Sequence, residues 1–175
     1  MTESGIVKEA EGIGADGEGR RGFDFLFGKW RIANRKQADP LTTHSTEWLE
    51  FEATSEERPI LGGLGNVETY SAPAFPGRKS FEALALRLFE PETGLWRIWW
   101  TSTVRPGILE VPVIGRFVDG HGQFECDEVI DFRPLKVRFD WKSITASSAR
   151  WEQAFSFDAG QTWVTNWIME LTREA

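Results

Sequence analysis

Cysteine is nearly missing from this chain: Cys126 stands alone among 175 residues. That excludes an intrachain disulfide and any thiolate metal cluster, and it suits a reducing compartment. Carboxylates flank Cys126 on both sides, which raises a thiol pKa and argues for a structural rather than a nucleophilic role. Histidine is almost as scarce, with only His44 and His121, and neither has a second histidine at i+2 or i+4. Zinc and iron sites need three or four converging ligands, so no metal site is expected. Positive charge is short too: 20 Lys and Arg face 27 Asp and Glu, for a net charge of −7. A nucleic-acid partner is not expected, because phosphates must be met by Lys and Arg. An anionic membrane surface is not expected for the same reason. No apolar run reaches the roughly 18–20 residues of a membrane helix. Residues 1–22 are rich in Gly and Glu and carry no apolar run, unlike a signal or transit peptide. The expected location is cytoplasmic.

Aromatic rings are what the chain does hold. It has nine Trp and thirteen Phe against one Tyr. Such rings bury large areas, and each indole N–H needs a partner. This many predict a thick core or an aromatic-lined cavity.

The chain divides at about residue 20. Residues 1–20 have the small, polar, acidic composition of a flexible tail, and residues 21–175 read as one domain. Beyond it, turn signals recur every 8–15 residues, the rhythm of a sandwich or barrel. Predicted strands cover 30–35, 45–55, 66–71, 81–89 and 95–103. Others cover 113–118, 123–131, 136–144, 149–157 and 162–172. Arg58-Pro59 and Arg133-Pro134 read as breaks, and Asp119-Gly120-His121-Gly122 as a hairpin loop. About ten antiparallel strands with little helix face an edge problem, which closure removes. The predicted fold is all-β: a single up-and-down antiparallel barrel, with a sandwich as the alternative. A barrel of this size can enclose a small ligand.

Phe25-Leu26-Phe27-Gly28-Lys29-Trp30-Arg31-Ile32 resembles the opening of calycin barrels, the lipocalins and fatty-acid-binding proteins. There a Gly-x-Trp follows a short turn and the Trp closes one barrel end. A wider set of stretches resembles a DUF1579-like group of bacterial proteins of unknown function. They are Phe23-Asp24-Phe25-Leu26 with Gly28-x-Trp30, Leu61-Gly62-Gly63-Leu64-Gly65-Asn66-Val67, Leu86-Arg87-Leu88-Phe89, and Val113-Ile114-Gly115-Arg116-Phe117. Ala149-Arg150-Trp151-Glu152-Gln153-Ala154-Phe155-Ser156 and Thr165-Asn166-Trp167-Ile168-Met169 complete the set. The resemblance implies a calycin-like barrel and carries no assigned activity. Haem-binding barrels of similar size offer a histidine to iron; here both histidines sit in turn-like sequence, and no cofactor is expected.

Polar residues that share a face with aromatics name the candidate ligand-binding set: Trp30, Asn34, Arg87, Trp100, Trp141, Gln153 and Trp167. Asn34 alternates with Trp30 and Ile32, Gln153 with Trp151 and Phe155, and Arg87 with Ala83 and Ala85. A few placed polar groups among apolar ones are the composition of a ligand site. Glu68 shares its face with Asn66 and Tyr70, and is the candidate catalytic acid or base if that face turns inward. Binding a small, mostly apolar or aromatic molecule is the expected function. One alternative is an isomerase, cyclase or hydratase using an inward carboxylate in the same cavity. The other is a structural or partner-binding module with a filled barrel. Two strands carry apolar residues on both faces: Leu95 and Trp99 oppose Trp96, Ile98 and Trp100, and Val164 and Ile168 oppose Trp163 and Trp167. A homodimer interface would cover the outer set.

Overall fold

A computed structural model describes residues 17–42, 44–77 and 79–174, with side chains from residue 19 onward. Ten strands close into one antiparallel barrel: β1 Gly28–Gln37, β2 Trp48–Ile60, β3 Gly65–Ala72, β4 Phe81–Glu90, β5 Leu95–Ser102, β6 Val113–Val118, β7 His121–Ile130, β8 Arg133–Lys142, β9 Ser148–Ser156 and β10 Val164–Arg173. Each strand pairs with its neighbours in sequence, and β1 closes the ring on β10 with Trp30 opposite Arg173. Among the described strands no sheet edge is left unpaired. Among the described residues no helix is long and apolar enough to cross a membrane. The barrel expectation holds in strand number and order.

Alternation does most of the folding work. Trp30, Ile32 and Asn34 of β1 are buried while Arg31, Ala33 and Arg35 face out. On β2, Phe51, Ala53, Ser55 and Glu57 point in, and Glu50, Glu52 and Glu56 point out. A strand of period two buries one face and solvates the other.

One end is sealed. A 3₁₀ turn, Asp24–Leu26, follows Phe23, which is completely buried. The Phe23 ring stands edge-on to Trp96 at 5.0 Å and to Phe117 at 4.9 Å, and lies over Phe124 at 5.5 Å. Trp30 Nε1 donates to the Leu26 carbonyl at 2.7 Å, tying the turn to β1. Arg173 clasps the other side: its guanidinium lies 4.3 Å from the Trp30 ring centroid and donates to the Phe27 and Phe25 carbonyls at 2.6 and 2.5 Å. Gly28 takes φ +113°, and a Cβ there would come within 3.0 Å of Arg173 Nη1. The conformation therefore favours glycine here.

Gly17–Arg20, at the end of the predicted tail, form a helical turn, and Trp96 Nε1 donates to the Gly19 carbonyl at 2.8 Å; residues 1–16 lie outside the described set. Several strand boundaries are corrected. β2 does not stop at Arg58-Pro59 but runs to Ile60. β8 begins at Arg133 and includes Pro134. Both prolines sit one residue from a strand end, where a missing ladder N–H is tolerated. The turn before β8 is Asp131-Phe132, and the expected β6–β7 hairpin turns at Asp119-Gly120 alone; all four residues have positive φ, as two-residue hairpin turns demand. His121 consequently opens β7 instead of lying in a loop, with Nε2 3.0 Å from Asp140 Oδ1. His44 sits exposed in the β1–β2 turn region. β10 carries an irregularity between Thr165 and Trp167. It breaks the predicted common face of Val164 and Ile168. Val164 is brought opposite inward Phe155, whereas Ile168 stays outside, opposite Glu152.

Candidate functional site

The other barrel end is open, and the interior behind it is hollow. A cavity of about 620 Å³ runs inward from a mouth that includes Asp39, Leu41, Phe75, Lys79, Arg105 and Glu110. The filled-barrel expectation is thereby overturned. Midway along β4 the inward residues are Ala83 and Ala85, whose small side chains cannot fill the middle of a ten-stranded ring. A larger hollow, about 790 Å³, lies against the outer faces of β2 to β5, along the row Glu56, Thr69, Leu84 and Thr101. It is a shallow trough in which a molecule would stay hydrated. The interior cavity is therefore the candidate site.

Aromatic rings make the walls. Trp100 meets Trp167 edge-on at 6.3 Å, Trp167 meets Trp151 at 5.5 Å, and Trp151 meets Phe139 at 4.9 Å. Five of the seven ligand-site candidates line the cavity: Arg87, Trp100, Trp141, Gln153 and Trp167. The other two do not. Trp30 is sealed beneath, in the closed end. Asn34 is buried behind the wall, where Oδ1 accepts from Tyr70 Oη and Trp167 Nε1, each at 3.0 Å. It fixes two wall rings and touches no cavity space. Gln153 Nε2 donates to Asn166 Oδ1 at 2.8 Å, across the β10 irregularity.

The floor is charged. Arg87 is buried, with its guanidinium 5.0 Å from the Phe23 ring centroid and 5.9 Å from that of Trp141. Nη1 donates to both Glu57 oxygens at 2.8 and 2.7 Å, and Nη2 donates to Glu68 Oε2 at 2.5 Å. Glu68 does face inward, and it meets Arg87 as half of a buried ion pair. Burial pushes the Glu57 carboxyl up to about 8, Arg87 opposing and Glu68 adding to the shift. Burial likewise raises the Tyr70 hydroxyl, against its bond to Asn34. Cys126 also lines the cavity; burial first, then Glu128 and Asp127, push its thiol up to about 12, which leaves it inert at neutral pH.

Glu57 is the site residue that sequence reasoning missed. The charged run Glu56-Glu57-Arg58 reads as a solvated strand end, yet the phase of Phe51, Ala53 and Ser55 already places Glu57 on the inner face. Lys36 is a second omission. It continues the Trp30, Ile32, Asn34 alternation, and its ammonium lies 3.8 Å from the Trp167 ring centroid.

Comparison with solved structures agrees on the fold. Rv2717c from M. tuberculosis matches with a TM-score of 0.58 at 14% identity, over 89% of this chain and 96% of that one. A redesigned beta barrel, b11L5F_LGL, matches at a TM-score of 0.47 and 10% identity, over 89% and 96%. EF1p2_mFAP2b bound to DFHBI matches at 0.45 and 8%, over 89% and 98%. No family model and no curated protein matches the chain. The likeness to Rv2717c is one of fold alone.

Proposed function

We propose that this protein binds a small, mostly apolar or aromatic molecule inside the barrel. The observation that carries the reading is the cavity of about 620 Å³ with tryptophan walls and a polar floor. Enclosure of this kind buries most of a small ligand's surface, and each apolar Å² removed from water contributes about 25 cal/mol. Native mass spectrometry of protein purified from its own host tests it. A species heavier than the 19.9 kDa chain, lost on denaturation, is the expected result. An unliganded mass throughout, with no uptake from a panel of aromatic compounds, would overturn it.

Glu68 beside Arg87 favours a second reading, an enzyme that moves a proton on the bound molecule. In that case Glu68→Gln abolishes turnover and leaves binding intact. The outer faces of β3 to β5 supply an apolar row, with Val67 opposite Leu86 and Leu86 opposite Trp99. It supports a homodimer, for which light scattering would give about twice 19.9 kDa. The charge of −7 and the outward Glu50, Glu52 and Glu56 support a protein of the cytoplasm that meets neither nucleic acid nor an anionic membrane. Kinship with the DUF1579-like group is likewise proposed, on the stretches quoted above.

A further inference from the structure

We infer that Glu68 and Trp100 form an amine subsite inside the cavity, which takes the ammonium head of an otherwise apolar or aromatic molecule. The inference rests on the small-molecule-binding reading and names the class of ligand within it.

One carboxylate oxygen is left over, and it opens onto the cavity. Glu68 is 7% exposed and lines the cavity. Its Oε2 accepts from Arg87 Nη2. Its Oε1 accepts from none of the described residues, and unlike Arg87 Nε it retains accessible surface. β3 turns that surface inward, between Glu57 on β2 and Ala85 on β4. Trp100 stands opposite Ala85 on β5. Neighbouring strands lie about 4.8 Å apart, so Glu68 and Trp100 project into one space from backbones roughly 10 Å apart, with only a methyl group between them. An ammonium fits there, within hydrogen-bond distance of Oε1 and about 5 Å from the indole, the range of a cation–π contact. Tyr70 and Trp167 stand edge-on to the Trp100 ring at 5.7 and 6.3 Å and fix its orientation.

Charge decides which head group. Two carboxyls, Glu57 and Glu68, share one guanidinium, that of Arg87. Fully ionised, the trio carries one negative charge in excess. A proton on Glu57, whose carboxyl burial pushes up to about 8, balances it. An ammonium at Glu68 can take the place of that proton, and the trio is balanced again. A ligand carboxylate would be unbalanced whether or not Glu57 is protonated, and a buried unbalanced charge is costly. A hydrocarbon would cover Oε1 and leave it without a donor. Ala85, Ile98 and Phe139 also line the cavity and offer nothing polar, so the rest of the molecule is apolar.

Three probes of one shape separate the possibilities: 2-(2-naphthyl)ethylamine, 2-propylnaphthalene and 2-naphthylacetate. Each is titrated into the wild-type protein by calorimetry at about pH 7.5, where the amine is protonated. The ammonium is expected to bind tightest, with the hydrocarbon at least about tenfold weaker, as one charge-assisted hydrogen bond implies. The carboxylate is expected to be weaker than the ammonium. Glu68→Gln, checked for folding by circular dichroism, should lose the ammonium's advantage and keep the hydrocarbon's affinity. Changing Glu110 and Glu128, the other glutamates that line the cavity, to Gln should leave the advantage in place. Equal affinity for ammonium and hydrocarbon, or tightest binding of 2-naphthylacetate, would overturn the inference and leave cavity binding standing. An advantage that disappears when Glu110 and Glu128 are changed would overturn it in the same way, and so would one that survives Glu68→Gln. No binding of any probe would overturn both readings. The wild-type comparison and the Glu110 and Glu128 variant keep the inference open to refutation even if Glu68→Gln fails to fold.

Discussion

Arg87 is the residue on which the interior turns. It pairs with two carboxyl groups that the fold has taken out of water, and it lies at the cavity floor. Removing it strands both acids, so Arg87→Met is expected to cost about 3–5 kcal/mol in urea unfolding. Changing Glu57 and Glu68 to Gln in the same chain should restore much of that loss, because no unpaired charge remains. A pH dependence follows from Glu57. Its carboxyl rises from 4.5 to about 8 on folding, so over that range the native state holds a proton that the unfolded chain releases. The stabilisation is complete below about pH 4.5 and is lost as pH rises through about 8. Wild-type protein should therefore lose thermal stability between about pH 5 and pH 8.5 relative to Glu57→Gln, followed by circular dichroism; parallel curves would contradict it. At this scale the sequence was half legible. Arg87 stood out because Ala83 and Ala85 flank it on one face. Its partner Glu57 was hidden, since neighbouring Glu56 and Arg58 give the segment the look of solvated charge.

Among the elements, the strands were readable and their ends were not. Period-two alternation marks an inner face wherever a strand is regular, which covers β1, β4 and most of β8. It fails where the chain inserts a residue. Asn166 sits at the β10 irregularity, and no feature of Thr165-Asn166-Trp167 distinguishes it beforehand. Prolines misled in the opposite direction, because Pro59 and Pro134 look like breaks yet fit near strand termini. The Asp131-Phe132 turn was overlooked for a physical reason: phenylalanine is a poor choice at positive φ. Phe132 adopts φ +61° and is 99% exposed. Phe132→Gly restores the Asp-Gly pair such turns prefer and should raise stability by about 1 kcal/mol. The plug makes the contrary case. Phe23 touches Trp96, Phe117, Phe124 and Trp141. Phe23→Ala should cost about 3–5 kcal/mol by denaturant unfolding. The Gly28-x-Trp30 signature thus belongs to architecture: Trp30 and Arg173 lock the closed end, and the cavity lies beyond them.

For the whole molecule, one end is sealed by aromatic packing, the other is open, and the hollow between them has a charged floor. The division explains why the candidate set split as it did. Trp30 and Asn34 lie on the same inward face as wall residues, but alternation reports only the face, not the depth along the barrel or what stands in front. Depth is set by register between strands distant in sequence, such as Trp30 with Arg173, and a single sequence does not display it. The central claim is that a molecule occupies this hollow. Its most direct measurement is titration of wild-type and Ala85→Trp protein with N-phenyl-1-naphthylamine, a neutral fluorescent probe. Ala85 is buried and lines the cavity, so a tryptophan there fills the space the probe needs. Saturable one-to-one binding by the wild type, weakened at least about tenfold in a folded Ala85→Trp, is the predicted result. Equal affinity in the two proteins, or no saturable binding in the wild type, would contradict it.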